Sequence, residues 1–418
     1  MEAAFRAHLY PLDHPRLAAF RDYDARSYPE RLREVNPILR DVLTAWRREL
    51  DEGEYRGITC DGTPRPDVFD TEGHENAPSA EALTAATALI DSLDEQTRAA
   101  LVHPLDSKVW RAWMNPEMYV NRFGLRLEDI DAHARRRVLD LVKACLSPDG
   151  YEQFTALVHT NAFLGSLVDL PKLLNDASYN INIFGIPSPT DPWGWNFYGH
   201  HVCVNCLIFG DTMVLTPVFF GAEPNEMDTG KYAGTRLLEA QEVRGLALIR
   251  ALSPELADQA ILYGDQRDPE IPAARIHPGD ELHLGGAFQD NRVIPYEGVC
   301  AGKFDAGQRD LLLELVETFL DYQPEGPRAA RLDEIARYMD ETWFCWIGGT
   351  DDDSTFYFRV QSPVIMVEFD HHSGMFLANP QPEKFHIHTL VRTPNGNDYG
   401  CELVRRATAS AHLLNGPA

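Results

Sequence analysis

Apolar and polar positions follow two different rhythms along this chain. Up to about residue 175 the spacing is helical. Residues 29–51 place Leu32, Val35, Leu39, Val42, Leu43 and Trp46 at helical intervals, with Pro29 in the first turn. The same spacing predicts helices over 79–100, 127–146 and 151–167. From Tyr179 short strand-like runs take over: Y-N-I-N-I-F-G, W-N-F-Y-G-H-H-V-C-V-N-C-L-I-F and M-V-L-T-P-V-F-F, separated by Pro/Gly/Asp turns. A helix at 234–251, a Pro/Gly/Asp-rich connection at 264–300 and helices at 306–322 and 327–341 follow. A second strand group then runs W-F-C-W-I-G-G, T-F-Y-F-R-V, V-I-M-V-E-F-D and F-H-I-H-T-L-V-R, ending in a turn and short helix, N-D-Y-G-C-E-L-V-R-R.

These rhythms predict an α+β fold: a mainly helical region at 1–175 and an α+β region at 176–418 with an antiparallel sheet, the two open to being one integrated domain. The strand groups share a plan of aromatic strands, an apolar strand and a helix after a Pro/Gly/Asn corner, which suggests a pseudo-twofold core. Helix starts are marked at Asp94, Leu127-Glu128-Asp129, Ser253 and Asp305, where side chains can cap first-turn N–H groups.

Candidate chemistry concentrates on three strands. His386 and His388 are two apart, so both imidazoles share a face with Leu390 and Arg392, while Ile387, Thr389 and Val391 face the core. The preceding strand carries Glu368 and Asp370 on one face. A third carries His200 and His201, of which His201 is expected to point to the cavity with Cys203 and Asn205. Neutral imidazole and carboxylate suit iron, manganese, zinc or copper. The expected ligands of a mononuclear transition metal are therefore His201, Glu368, His386 and His388. Arg392, Asn205 and Trp195 are expected around the substrate, with Arg392 offering a planar fork to an anionic group. Structural readings compete: an exposed polar edge strand, a salt bridge from Glu368 to Arg359 or Arg392, and satisfied core histidines.

Other motifs carry less. Cys203 and Cys206 match C-x-x-C, but residues three apart on a strand face opposite ways. Asp351-Asp352-Asp353 lacks the glycine and distal glutamate of a calcium loop, and His371-His372-Ser373-Gly374 reads as a turn from which His371 could supplement the carboxylates. There is no dinucleotide fingerprint, P-loop, H-E-x-x-H or G-x-S-x-G. With 38 Lys+Arg against 64 Asp+Glu, the net charge of −26 disfavours nucleic acid and anionic membranes as partners. Seven cysteines without a framework, and no secretory or membrane-spanning stretch, point to the cytoplasm. A small-molecule substrate is expected, and self-association into a homo-oligomer stays open.

The segments I-F-G-I-P-S, P-W-G-W-N-F-Y-G-H-H-V-C-V-N, T-P-V-F-F-G-A-E-P, F-Y-F-R-V-Q-S-P-V-I-M-V-E-F-D and F-H-I-H-T-L-V-R-T-P-N-G-N-D-Y-G resemble the domain of unknown function 3500 family. The resemblance runs from about residue 29 to Arg406. It is most specific at Gly199-His200-His201, Glu368-x-Asp370, His386-x-His388, Arg392 and Asp398-Tyr399-Gly400. It implies that these polar residues form a recurring pattern, to which Cys203 and Cys206 do not belong, and implies no substrate or cofactor. The residues themselves lead to a metal-dependent enzyme acting on a small molecule. Oxidoreductase or oxygenase chemistry is favoured by analogy with strand-borne histidine sets. A metal-dependent hydrolase, a metal-free His/Glu acid–base enzyme and a non-catalytic ligand-binding protein are the alternatives.

Overall fold

The computed structural model describes residues 3–69, 74–405 and 408. The principal helices are α1 (Ser27–Val35), α2 (Pro37–Glu52), α3 (Ser79–Asp91), α4 (Ala132–Cys145), α5 (Pro148–Leu167), α6 (Glu239–Ala251), α7 (Ala306–Thr318) and α8 (Glu325–Arg337). The run expected as one helix over 29–51 is two. Pro37 bars its predecessor from helical geometry, so Asn36 is extended at φ −122° and ψ 101°, and its side chain caps α2 by accepting the Leu39 N–H. Asp94, Ser253 and Asp305 cap as expected. At 127–129 the chain makes only a 3-10 turn, and Asp131 caps α4 instead, accepting the Ala134 N–H.

The eight main strands are β1 (Tyr179–Phe184), β2 (Trp193–Gly199), β3 (Val202–Phe209), β4 (Val218–Ala222), β5 (Trp343–Gly348), β6 (Phe356–Gln361), β7 (Met366–His372) and β8 (Glu383–Arg392). Their spatial order is β1-β2-β3-β4-β8-β7-β6-β5, with every neighbouring pair antiparallel. The order is a palindrome: two four-stranded meanders join last strand to last strand. The symmetry extends outward. A short helix at 95–101 leads into Val102–His103, parallel to β1, and another at 254–260 leads into Ile261–Tyr263, parallel to β5. A helix pair precedes each meander, α4 and α5 in the first half and α7 and α8 in the second.

The central strands are buried on both faces. On one face, Val202, Val204, Val218, Phe220, Val367, Phe369, Ile387 and Val391 pack with α3–α8 in an apolar core running from Val68 to Val391. The helical region before residue 175 and the sheet thus share one core. The other face, with Cys203, Leu207, Phe219 and Leu390, is covered by α2, the 104–131 connection and the 264–300 connection through Trp46, Trp113, Phe288 and Tyr399. Glu368, Asp370, His372, His386 and His388 of the sheet lie on this second face. The short helix expected after β8 begins as a 3-10 turn at Asp398–Gly400, and Arg406 at its end lies outside the described residues. No helix among the described residues is long and apolar enough to cross a membrane.

Candidate metal centre

Three histidines converge at one end of the β4–β8 junction. On β8, residues 386 and 388 present both imidazoles to the loop-covered face. His201 arrives from β2–β3, though not as a strand residue. β2 ends at Gly199 and β3 starts at Val202, so His200 and His201 are the hairpin loop. His201 has φ +61°, a left-handed conformation that costs a non-glycine residue energy. Its backbone is clamped on both sides: its N–H donates to Asn115 O at 2.9 Å, and its carbonyl accepts the Gly221 N–H at 2.8 Å. The ring of His200 stacks on that of His201 with centroids 3.9 Å apart, and Asn161 Oδ1 anchors His200 Nδ1 at 2.8 Å.

The three Nε2 atoms form a nearly regular triangle. Its sides are 3.1 Å (His386–His388), 3.1 Å (His388–His201) and 3.4 Å (His386–His201). His201, His386 and His388 are close enough together to hold one cation through their Nε2 atoms. One proton can bridge only one of the three N···N pairs. Burial, reinforced by neighbouring imidazoles, holds all three well below the ordinary histidine pKa.

Behind the triangle lies a charged layer. Asp370 pairs in register with His388, and its Oδ1 is 3.9 Å from His388 Nδ1 and 3.5 Å from His283 Nε2. Asp370 Oδ2 lies 3.1 Å from His372 Nδ1. Burial opposes charge on His372, but Glu281 and Asp370 outweigh it and raise the group to about 9. A second set of potential ligands, Asp370, His372 and His388, shares His388 with the first. A cavity of about 120 Å³ opens beside the triangle, lined also by Asn115, Glu117, Glu223, Glu281 and Ser373. Burial pushes Glu223 up to about 7, although it accepts the N–H groups of Leu377 and Phe376.

Four residues expected at the site have other duties. Glu368 shares the sheet face but not the triangle. Its carboxylate accepts from Leu284 N and Gly285 N, each at 2.8 Å, and from Tyr357 Oη at 2.6 Å, which anchors the 264–300 connection. Burial opposes its charge, yet His283, Arg359 and these donors hold it below the ordinary carboxylate range. Arg392 meets neither Glu368 nor Asp370. It is wholly buried, paired with Asp290 at 2.6 Å and Asp398 at 2.8 Å. Asn205 donates to Pro217 O at 2.9 Å, and Trp195 Nε1 points to Cys145 Sγ in the helical core. His371 lies on the opposite face, 3.6 Å from Glu242. His372, which a turn reading left aside, is the one at the site, because β7 continues through it. The alternation 368, 370, 372 carries that signal; nothing periodic marks Glu281 or His283 in the connection.

Comparison with known families matches residues 75–401 to the family described as Protein of unknown function (DUF3500). The chain belongs to this family. The match takes in all three histidines, Asp370, His372 and both covering connections. Within this family member, α1 and α2 precede the matched residues. Neither the curated proteins nor the solved structures gave a match.

Proposed function

We propose that this family member is a metal-dependent enzyme that holds one transition-metal ion on His201, His386 and His388 and acts on a small molecule. The observation that carries the reading is the triangle of buried, neutral Nε2 atoms at 3.1–3.4 Å. Three lone pairs meeting in a buried place need a cation. Neutral ligands leave the ion's full charge to polarise water or a substrate oxygen at the open position. Zinc on these nitrogens would supply hydrolytic chemistry. The protein's own part is to fix the His201 backbone through Asn115 and Gly221, and to supply His372, held by Asp370 and Glu281, as a proton donor beside the cavity.

A second reading keeps the site and changes the ion. An all-imidazole set also suits iron, manganese or copper, with oxidation of the substrate as the chemistry. A cytoplasmic setting suits the seven free cysteines. Elemental analysis of protein purified without an affinity tag tests the proposal. One ion per chain supports it and its identity chooses between the readings; metal-free protein that also fails to take up zinc, iron, manganese or copper in dialysis removes it.

A further inference from the structure

Away from His372 and the three imidazoles, the cavity wall is rich in acceptors. Glu117, Glu223 and Glu281 line it, and among the described residues no lysine or arginine does. Glu281 is occupied by Arg267 and Ser373. Glu223 is not: Oε1 accepts the Phe376 and Leu377 N–H groups, while Oε2 has no hydrogen-bond partner among the described residues, in a side chain 1 % exposed. Asn115 stands likewise. Its Nδ2 donates to Asp280 Oδ1 at 3.0 Å, which fixes the amide orientation, and its Oδ1 is buried without a partner. A buried acceptor left without a donor costs free energy. The wall therefore calls for a ligand that brings N–H or O–H.

The mouth of the cavity adds the other half. Asn115, Pro116, Glu117, Pro278, Gly279 and Met375 also line an adjoining groove of about 190 Å³. Its far wall is apolar, with Leu32, Leu39, Val42 and Trp46 from α1 and α2 and Ile38, 64 % exposed, at the edge. An apolar groove that shares these lining residues with an acceptor-lined pocket fits a molecule with two unlike ends.

We infer that the substrate is a small amphiphile whose amine or alcohol head donates to Glu223 and Asn115 beside the histidines, and whose apolar body lies in the groove against α1 and α2. The inference rests on the proposed metal site for its chemistry, and on the walls alone for recognition.

Calorimetric titration of the full chain, zinc-loaded and metal-free, with hexylamine, hexan-1-ol, ethanolamine and hexanoate tests it. Hexylamine or hexan-1-ol should bind more tightly than hexanoate, and which of them leads separates an amine head from an alcohol head. Glu223→Gln should weaken the leading ligand about tenfold or more. Ile38→Ser, at an exposed position that leaves folding untouched, should weaken it and leave ethanolamine unchanged. Hexanoate binding as tightly as the amine and the alcohol, or indifference to both substitutions, overturns the inference. Zinc uptake with no preference for donors removes this inference alone. Donor binding without uptake of zinc, iron, manganese or copper keeps it and removes the metal reading.

Discussion

Gly221 of β4 pairs directly with His388 of β8, and a Cβ at residue 221 would lie 2.8 Å from His388 Cδ2 and 3.0 Å from His201 Cδ2. The strand surface is bare where two of the three rings rest on it. Glycine here is required by close approach. Gly221→Ala should push both imidazoles out of the triangle and lower metal affinity by about 10–100-fold, the range seen when supports of a ligand are lost. Competition with a chromophoric chelator measures it, and unchanged affinity would show that the rings do not need that surface.

Removing a ligand should act on the metal and spare the scaffold. His388→Ala is expected to abolish tight metal binding while the melting temperature of the metal-free protein changes little, because β8 is held by ladders to β4 and β7. Metal content and thermal unfolding are read on the same sample. Collapse of the metal-free fold would instead mark His388 as a structural histidine.

Glu368 and Arg392 should behave the opposite way. Each is buried and engaged with the covering connection or its neighbours. Breaking a buried charge network costs about 3–5 kcal/mol. Glu368→Gln and Arg392→Lys should each lower stability by an amount of this order in urea unfolding, with metal content per folded chain unchanged. Loss of metal from folded Glu368→Gln would return the carboxylate to the ligand set.

These contrasts show what the sequence could and could not carry. Period two placed His386, His388, Asp370 and Arg392 on one sheet face, because strand alternation is local. His201 reaches the site through a hairpin turn at φ +61° rather than through strand alternation. The partners of Glu368 and Arg392 were illegible, since Leu284, Gly285 and Asp290 come from an irregular connection whose backbone donors and charges have no sequence rhythm. The palindromic strand order was foreshadowed by the shared plan of the two strand groups, while the joining of β4 to β8 is a long-range fact.

Acid should loosen the lid of the site through Asp280. Burial would raise this carboxyl, but His277 and the Asn115 amide overcome it and bring it from 3.8 to about 2. A depressed carboxyl contributes stability that is fully present above its unfolded value and is lost as pH falls through the folded one. The window is therefore about pH 4 to pH 2, and the contribution is about 2 kcal/mol. Asp280→Asn should flatten the stability profile in that window; a slope equal to wild type would deny the carboxyl this role.

The central claim is a single cation equidistant from three imidazole nitrogens. An anomalous-difference map, recorded at the absorption edge of the metal found in crystals of tag-free protein, tests it most directly. The expected result is one peak within about 2.0–2.2 Å of Nε2 of His201, His386 and His388. A map with no peak there, or with its peak at Glu368 and away from the triangle, would contradict the account.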